Sequence, residues 1–235
     1  MEYLLYAECA LILAALLTAG LGGVTILQRR PDATGRLMGW AALVLGIGEA
    51  LSLIPRALWL LGFREQRLGD QAGRMAAAIA VSVFCILLSL LWEKVYEKKN
   101  GFFAEAHIRE LSGARALACL LPVFLWLGRS MHGEMGDPLA DEPIQVLAGI
   151  AGVRGVTLLI VAIVVARHWY VTRAEVPTLR NVWWLLVLGV LFEIGADLGA
   201  VFVPALTYLW VPELVCLLGI VLAFVRYAGE TGEKH

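Results

Sequence analysis

The stretch VWWLLVLGVLFEIGADLGAVFV, residues 182–203, decides the fold. Apart from Glu193 and Asp197 it holds no ionisable side chain, and it matches the roughly 20 apolar residues that carry an α-helix across a bilayer. Its apolar residues run on without alternating, which excludes a half-buried strand. In lipid every backbone N–H and C=O must be satisfied within the segment or in a closed barrel, so this run reads as a transmembrane helix.

Six more runs of the same character accompany it, at about 3–27, 38–62, 75–97, 112–131, 146–170 and 207–228. Composition agrees, with 60% hydrophobic and 17% charged residues and a mean hydropathy of +0.78 over 235 residues. A soluble domain is about half apolar and about a quarter charged. At about 20 to 24 residues per crossing, seven helices use roughly 155 residues and leave about 80 for loops. The expected architecture is an all-α, polytopic seven-helix membrane bundle occupying residues 1–235 as one unit. The first run is not a cleavable signal peptide, because Met1-Glu2-Tyr3 lacks a basic leader and the run is too long. With 19 basic against 20 acidic residues, no nucleic-acid partner is implied.

Basic residues gather on one side of this plan. Arg29, Arg30 and Arg36 follow helix one, Lys94, Lys98, Lys99, Arg109 and Arg115 follow helix three, Arg167, Arg173 and Arg180 follow helix five, and Arg226 and Lys234 close the chain. The other side carries Arg64, Arg67, Arg74 and Arg129 beside the acidic Glu134, Asp137, Asp141 and Glu142. The positive-inside rule then puts the N-terminus outside and the C-terminus in the cytoplasm, in a multi-pass protein of the cytoplasmic (inner) membrane. Trp40, Trp92, Trp169, Tyr170, Trp183 and Trp184 near the inner ends, and Trp59, Trp126, Tyr208 and Trp210 near the outer ends, read as interfacial belts. Pro204 and Pro212 flank a tight outer turn between helices six and seven, and Pro55 and Pro122 should bend helices two and four. Glycines in helices one and two, among them Gly23, Gly39 and Gly48, should let backbones approach closely.

Seven ionisable side chains fall well inside the spans: Glu8, Glu49, Arg56, Arg154, Glu193, Asp197 and Glu213. A charge at the centre of a transmembrane helix costs about 2.5 to 3.5 kcal/mol even on the lenient insertion scale, so these groups should face the bundle interior. At about 1.5 Å per residue, Glu49 and Glu193 come near the midplane and the rest roughly 6 to 10 Å toward the outside. Glu49, Ser52 and Arg56 form one stripe on helix two, and Glu193 and Asp197 are i, i+4 neighbours on helix six. Together, Glu8, Glu49, Ser52, Arg56, Arg154, Glu193, Asp197 and Glu213 make a candidate ligand-binding set in the outer half. Five acids against two arginines call for protonated acids or a bound cation, with Glu193 and Asp197 the first candidates. The alternative is a set of structural ion pairs, Glu49 with Arg154 and Arg56 with Glu213 or Asp197.

Catalytic signatures are missing from the sequence. His107, His132, His168 and His235 lie in loops or at ends, so no intramembrane histidine cluster and no metal site is expected. Cys9, Cys85, Cys119 and Cys216 fall inside spans without C-x-x-C spacing and read as buried small hydrophobes. Walker loops and G-x-S-x-G elbows are absent, Ser52, Ser82 and Ser89 have no histidine partner, and helix seven lacks the lysine that a retinal Schiff base needs. No cofactor is expected. Between the two three-helix halves, Gly48-Glu49-Ala50-Leu51 before Pro55 echoes Gly195-Ala196-Asp197-Leu198 before Pro204, a weak repeat signal.

The run Gly48-Glu49-Ala50-Leu51-Ser52-Leu53-Ile54-Pro55-Arg56, with Leu91-Trp92-Glu93-Lys94 closing helix three, resembles a group of uncharacterised seven-helix integral membrane proteins of anaerobic Firmicutes. In that group an acidic residue likewise precedes Ile-Pro-Arg on helix two, commonly with a histidine where Ser52 stands here. The resemblance implies a shared bundle and a matching role for Glu49 and Arg56; it brings no established activity.

Three functions fit these observations. The leading one is a small-solute carrier, open to proton coupling, in which Arg56 and Arg154 orient an anionic group and Glu193 or Asp197 exchanges a proton. The second is a ligand sensor without transport, whose basic loop from Lys94 to Arg115 meets a cytoplasmic partner. The third is an intramembrane enzyme using Glu49, Glu193 and Asp197 as acid and base on a lipid-like substrate. Beyond membrane lipids and an unidentified small ligand, no partner is specified.

Overall fold

The computed structural model describes residues 2–61, 67–96, 104–131, 144–202 and 208–232. These form α1 (Glu2–Arg29), α2 (Ala33–Leu60), α3 (Arg67–Tyr96), α4 (Ala104–Met131), α5 (Ile144–Val171), α6 (Val182–Phe202) and α7 (Trp210–Gly232), with a 3-10 turn at Pro177–Leu179. Each expected helix has its counterpart, and no strand occurs among the described residues. Among the described residues, six segments are long and apolar enough to cross a membrane: Tyr6–Arg29, Ala33–Pro55, Ala76–Tyr96, Gly152–Val171, Pro177–Ala196 and Trp210–Glu230.

Two helices begin well before their apolar runs, α3 at Arg67 and α4 at Ala104. Hydropathy marks only the part of a helix that suits hydrocarbon, whereas i to i+4 hydrogen bonding continues into polar surroundings. The span expected as a loop before helix four is therefore helical from Ala104 onward. The start of α2 is capped by Asp32, whose Oδ1 accepts the Gly35 amide at 3.1 Å while Oδ2 accepts Arg30 Nη2 at 3.0 Å. The turn expected between helices six and seven lies outside the described residues.

Consecutive helices pack side by side, and α1 packs on α7, so the seven close a ring in chain order. Contacts of α3 with α5 and of α2 with α7 reach across it. The driving pattern is plain on α1, where Ile12, Ala15, Ala19 and Ile26 are buried while Leu13, Leu17, Leu21 and Val24 are exposed. On α5, Leu158, Val161, Ala162 and Val165 are buried and Val153, Val156, Ile160 and Ile163 exposed. Helices apolar on every face belong to an environment that is apolar outside as well as inside. Small residues let the ring close: a Cβ on Gly23 would stand 3.0 Å from the Gly39 carbonyl of α2.

Arg29, Arg30, Arg36, Lys94, Arg109, Arg115, Arg167, Arg173 and Arg180 mark one end of the ring, termed here the basic end. Contacts there join the end of α1 to α7, through Arg30 over the Tyr227 ring, and the turn after α5 to α7, through Thr178 and Glu230. Most of the interior toward this end is apolar, filled by Phe84, Leu88, Leu91, Val161, Val165, Leu186, Val190, Leu217 and Phe224.

Two expectations need correction. Trp92 and Trp169 are 7% and 1% exposed and pack inside the ring, unlike Trp40 and Tyr170, which are exposed as belt residues should be. Cys119 is exposed on α4, because its side of that helix faces outward with Leu117, Leu120 and Val123; Cys9 is half-buried, and Cys85 and Cys216 are buried.

Candidate functional site

Arg154 of α5 and Glu193 of α6 form an ion pair inside the ring, at 8% and 7% exposure. The sequence permits the contact locally. Gly155, beside Arg154, faces Ile194, beside Glu193, and a Cβ on that glycine would come 3.1 Å from Ile194 Cγ2. A larger residue would push the two helices apart at the height of the pair.

Across the ring, Glu49 of α2 lies within electrostatic reach of Glu193, and so does Cys85 of α3. The backbone holding Glu49 is itself pressed on α3: a Cβ on Gly48 would fall 2.1 Å from the Ala80 Cβ. Among the described residues, four helices thus converge on the Glu193 carboxylate, with the Arg154 guanidinium against it and the Glu49 carboxylate opposite. In a low-dielectric interior such a group must be compensated by a partner, a proton or a ligand.

The remaining expected residues distribute as follows. Ser52 is half-buried one turn beyond Glu49 on α2. Glu8 on α1 and Glu213 on α7 are half-buried, and each is engaged by another group. Arg56 and Asp197 belong to α2 and α6, but their side chains lie outside the described residues. The hydroxyl of Thr157, a turn from Arg154, donates to its own helix at Val153 O, 2.8 Å away. The arrangement therefore unites Glu49, Arg154 and Glu193. Arg154 pairs with Glu193 in this structure, a pairing that the structural-pair alternative does not name.

A second polar cluster occupies the basic end, where α3, α4 and α5 meet. Trp92 Nε1 donates to Thr172 Oγ1 at 3.0 Å, Thr172 Oγ1 donates to His168 O at 2.9 Å, and the Tyr96 hydroxyl donates to Thr172 O at 3.1 Å. The His107 and His168 rings stand edge to face with centroids 5.0 Å apart, and Trp92 lies 5.7 Å from the first and 5.1 Å from the second. At the rim Arg115 grips Glu93 in a two-pronged pair, Nη2 to Oε1 at 2.7 Å and Nη1 to Oε2 at 3.3 Å.

His107 and His168 stand together, at the end of the bundle and not within its middle; that they meet at all is not expected from sequence. His107 was expected in a loop; the early start of α4 makes it helical and turns it toward α5. The legible signal is His107-x-x-Glu110, which puts both side chains on one face once the helix is extended backward.

Compared with family models, curated proteins and solved structures, the chain matches none.

Proposed function

We propose that the protein is an integral membrane carrier for a small solute, with Glu49, Arg154 and Glu193 as its binding and proton-exchange centre. One observation carries the reading: a buried guanidinium-carboxylate pair has a second carboxylate, Glu49, within electrostatic reach across the ring. Among the described residues two acids stand around one base, one positive charge short of balance. A proton supplies it when the site is empty, and a solute bearing a cationic group supplies it when the site is filled, which ties solute binding to proton release.

The apolar filling of the basic half, from Phe84 and Leu88 to Phe224, is in this reading the barrier that closes one side of the site. Alternating access requires it to part as the helices rock around the charged layer. The enzyme alternative has less support, because an acid-base pair acting on a lipid should face a lateral opening, and Arg154 and Glu193 are turned inward. The sensor alternative shares the site and dispenses with the opening of the barrier. The carrier reading also takes the N-terminus outside and the C-terminus in the cytoplasm of a bacterial inner membrane, from the charge bias of the loops.

Counterflow in sealed proteoliposomes across a broad panel of radiolabelled amines, amino acids and organic anions tests the proposal. Exchange of at least one solute, faster with a pH gradient and abolished by Glu193→Gln, is the expected result. Ligand-dependent thermal stabilisation without uptake would move the assignment to a sensor. Neither stabilisation nor uptake for any solute would sink both.

A further inference from the structure

We propose that the basic end holds a divalent transition-metal site built from His107 and Glu110 of α4 and His168 of α5, with zinc the metal best suited to it. One ligand atom from each of the three residues lies within 4.8 Å of the others. His168 is the best prepared. Its side chain is 1% exposed, and its Nδ1 lies 2.7 Å from the Val164 carbonyl, which fixes the proton on that nitrogen. The lone pair is thereby left on Nε2, the arrangement a metal-binding imidazole requires.

That Nε2 is buried and makes no hydrogen bond; it points at Glu110 Oε2, 3.6 Å away. His107 Nδ1 is also buried without a hydrogen-bond partner. Leaving two neighbouring imidazole nitrogens dry and unsatisfied costs free energy, whereas Trp92, Tyr96 and Thr172 beside them each make a hydrogen bond. A metal ion removes both defects at once.

The donor set fits. Two neutral imidazoles and one carboxylate suit zinc and neighbouring first-row divalent ions, whereas magnesium and calcium prefer oxygen ligands. Tetrahedral zinc at about 2.1 Å from each ligand needs ligand atoms about 3.4 Å apart. The Nε2 to Oε2 separation is near that value already, the His107 atom lies within 4.8 Å of both, and the remaining closure falls to side-chain rotation of His107 and of Glu110, which is 45% exposed. Its competitor is Arg167 Nη1, 3.3 Å from the same oxygen, in an exposed pair that is weak. Three protein ligands leave a fourth position for water at the rim.

Bound there, the ion would tie the start of α4 to the end of α5. The experiment uses the full chain, free of any histidine tag, stripped with chelator in detergent and titrated with Zn2+ and with Co2+. The expected results are one equivalent bound, a visible Co2+ spectrum of tetrahedral type, and a higher melting temperature with Zn2+. Glu110→Gln and His107→Asn, both away from the fully buried position, should each weaken binding by more than about 100-fold, beyond what loss of an outer-shell contact does. His132→Gln should bind as the parent does. Absence of stoichiometric Zn2+ binding to the parent chain, or binding unchanged in both ligand variants, would overturn the proposal. The Co2+ spectrum judges the parent chain even where a variant fails to fold.

Discussion

The middle of the ring and its basic end bury polar groups in opposite ways. In the middle, Arg154 and Glu193 are both charged and both nearly inaccessible, with Glu49 across from them. At the basic end the buried groups are neutral, and Trp92, Tyr96, Thr172 and His168 form a relay of ordinary hydrogen bonds. The full charges there sit further out, as Glu93 with Arg115 and Glu110 with Arg167. A relay of neutral groups stabilises a fold outright. A buried ion pair at best breaks even against apolar residues of the same size. The difference teaches that stability alone does not account for the middle layer, where the carrier reading puts its site, while the end cluster is held by neutral hydrogen bonds around two unsatisfied histidine nitrogens.

Removing one charge from the middle is the strongest way to break this contrast. Arg154→Gln leaves Glu193 buried without its guanidinium and should cost about 3 to 5 kcal/mol, measured by reversible unfolding in mixed detergent micelles. Arg154→Leu with Glu193→Leu should be neutral or stabilising by about 1 to 4 kcal/mol while transport is lost. A double variant as unstable as the single one would show that the pair is structural after all. A smaller effect follows from the seam that positions Glu49. Gly48→Ala places a methyl group against Ala80 and should cost about 1 to 3 kcal/mol by overpacking; adding Ala80→Gly should restore most of it. At the basic end, Thr172→Val keeps the shape but leaves the Trp92 N–H without its acceptor, for a loss of about 1 to 3 kcal/mol. Unlike Arg154→Gln, it should leave solute exchange unaltered.

The contrast also sorts what the sequence makes legible. Seven runs and their approximate limits can be read directly, because the bilayer imposes one length and one composition on every crossing. The inward turn of Arg154 and Glu193 is legible for the same reason, since a charge on a lipid-facing side is too costly. Which partners meet is not, because pairing depends on rotations of α5 and α6 that Gly155 and Ile194 settle through packing. The basic end is harder still. Hydropathy falls silent in the polar first turns of α4, so the helical start at Ala104, and with it the place of His107, carries no apolar signal. Trp92 and Trp169 look like belt residues by position, yet they are buried because α3, α4 and α5 meet around them.

The smallest stability effect belongs to the rim, and it sharpens the contrast most. Arg167 and Glu110 are 63% and 45% exposed, so water already screens their attraction. Arg167→Gln should change stability by no more than a few tenths of a kcal/mol, against several for Arg154→Gln. Its effect on metal binding has the opposite sign. Without the guanidinium, Glu110 no longer has to leave a partner to reach the ion, and one nearby positive charge that repels it is gone, so zinc affinity should rise severalfold. Chelator competition on the parent and variant chains reads this directly. Weaker zinc binding in Arg167→Gln would mean that Arg167 orients Glu110 toward the ion instead of holding it back, and a changed melting temperature without zinc would mean that the rim pair carries structural weight its exposure does not suggest.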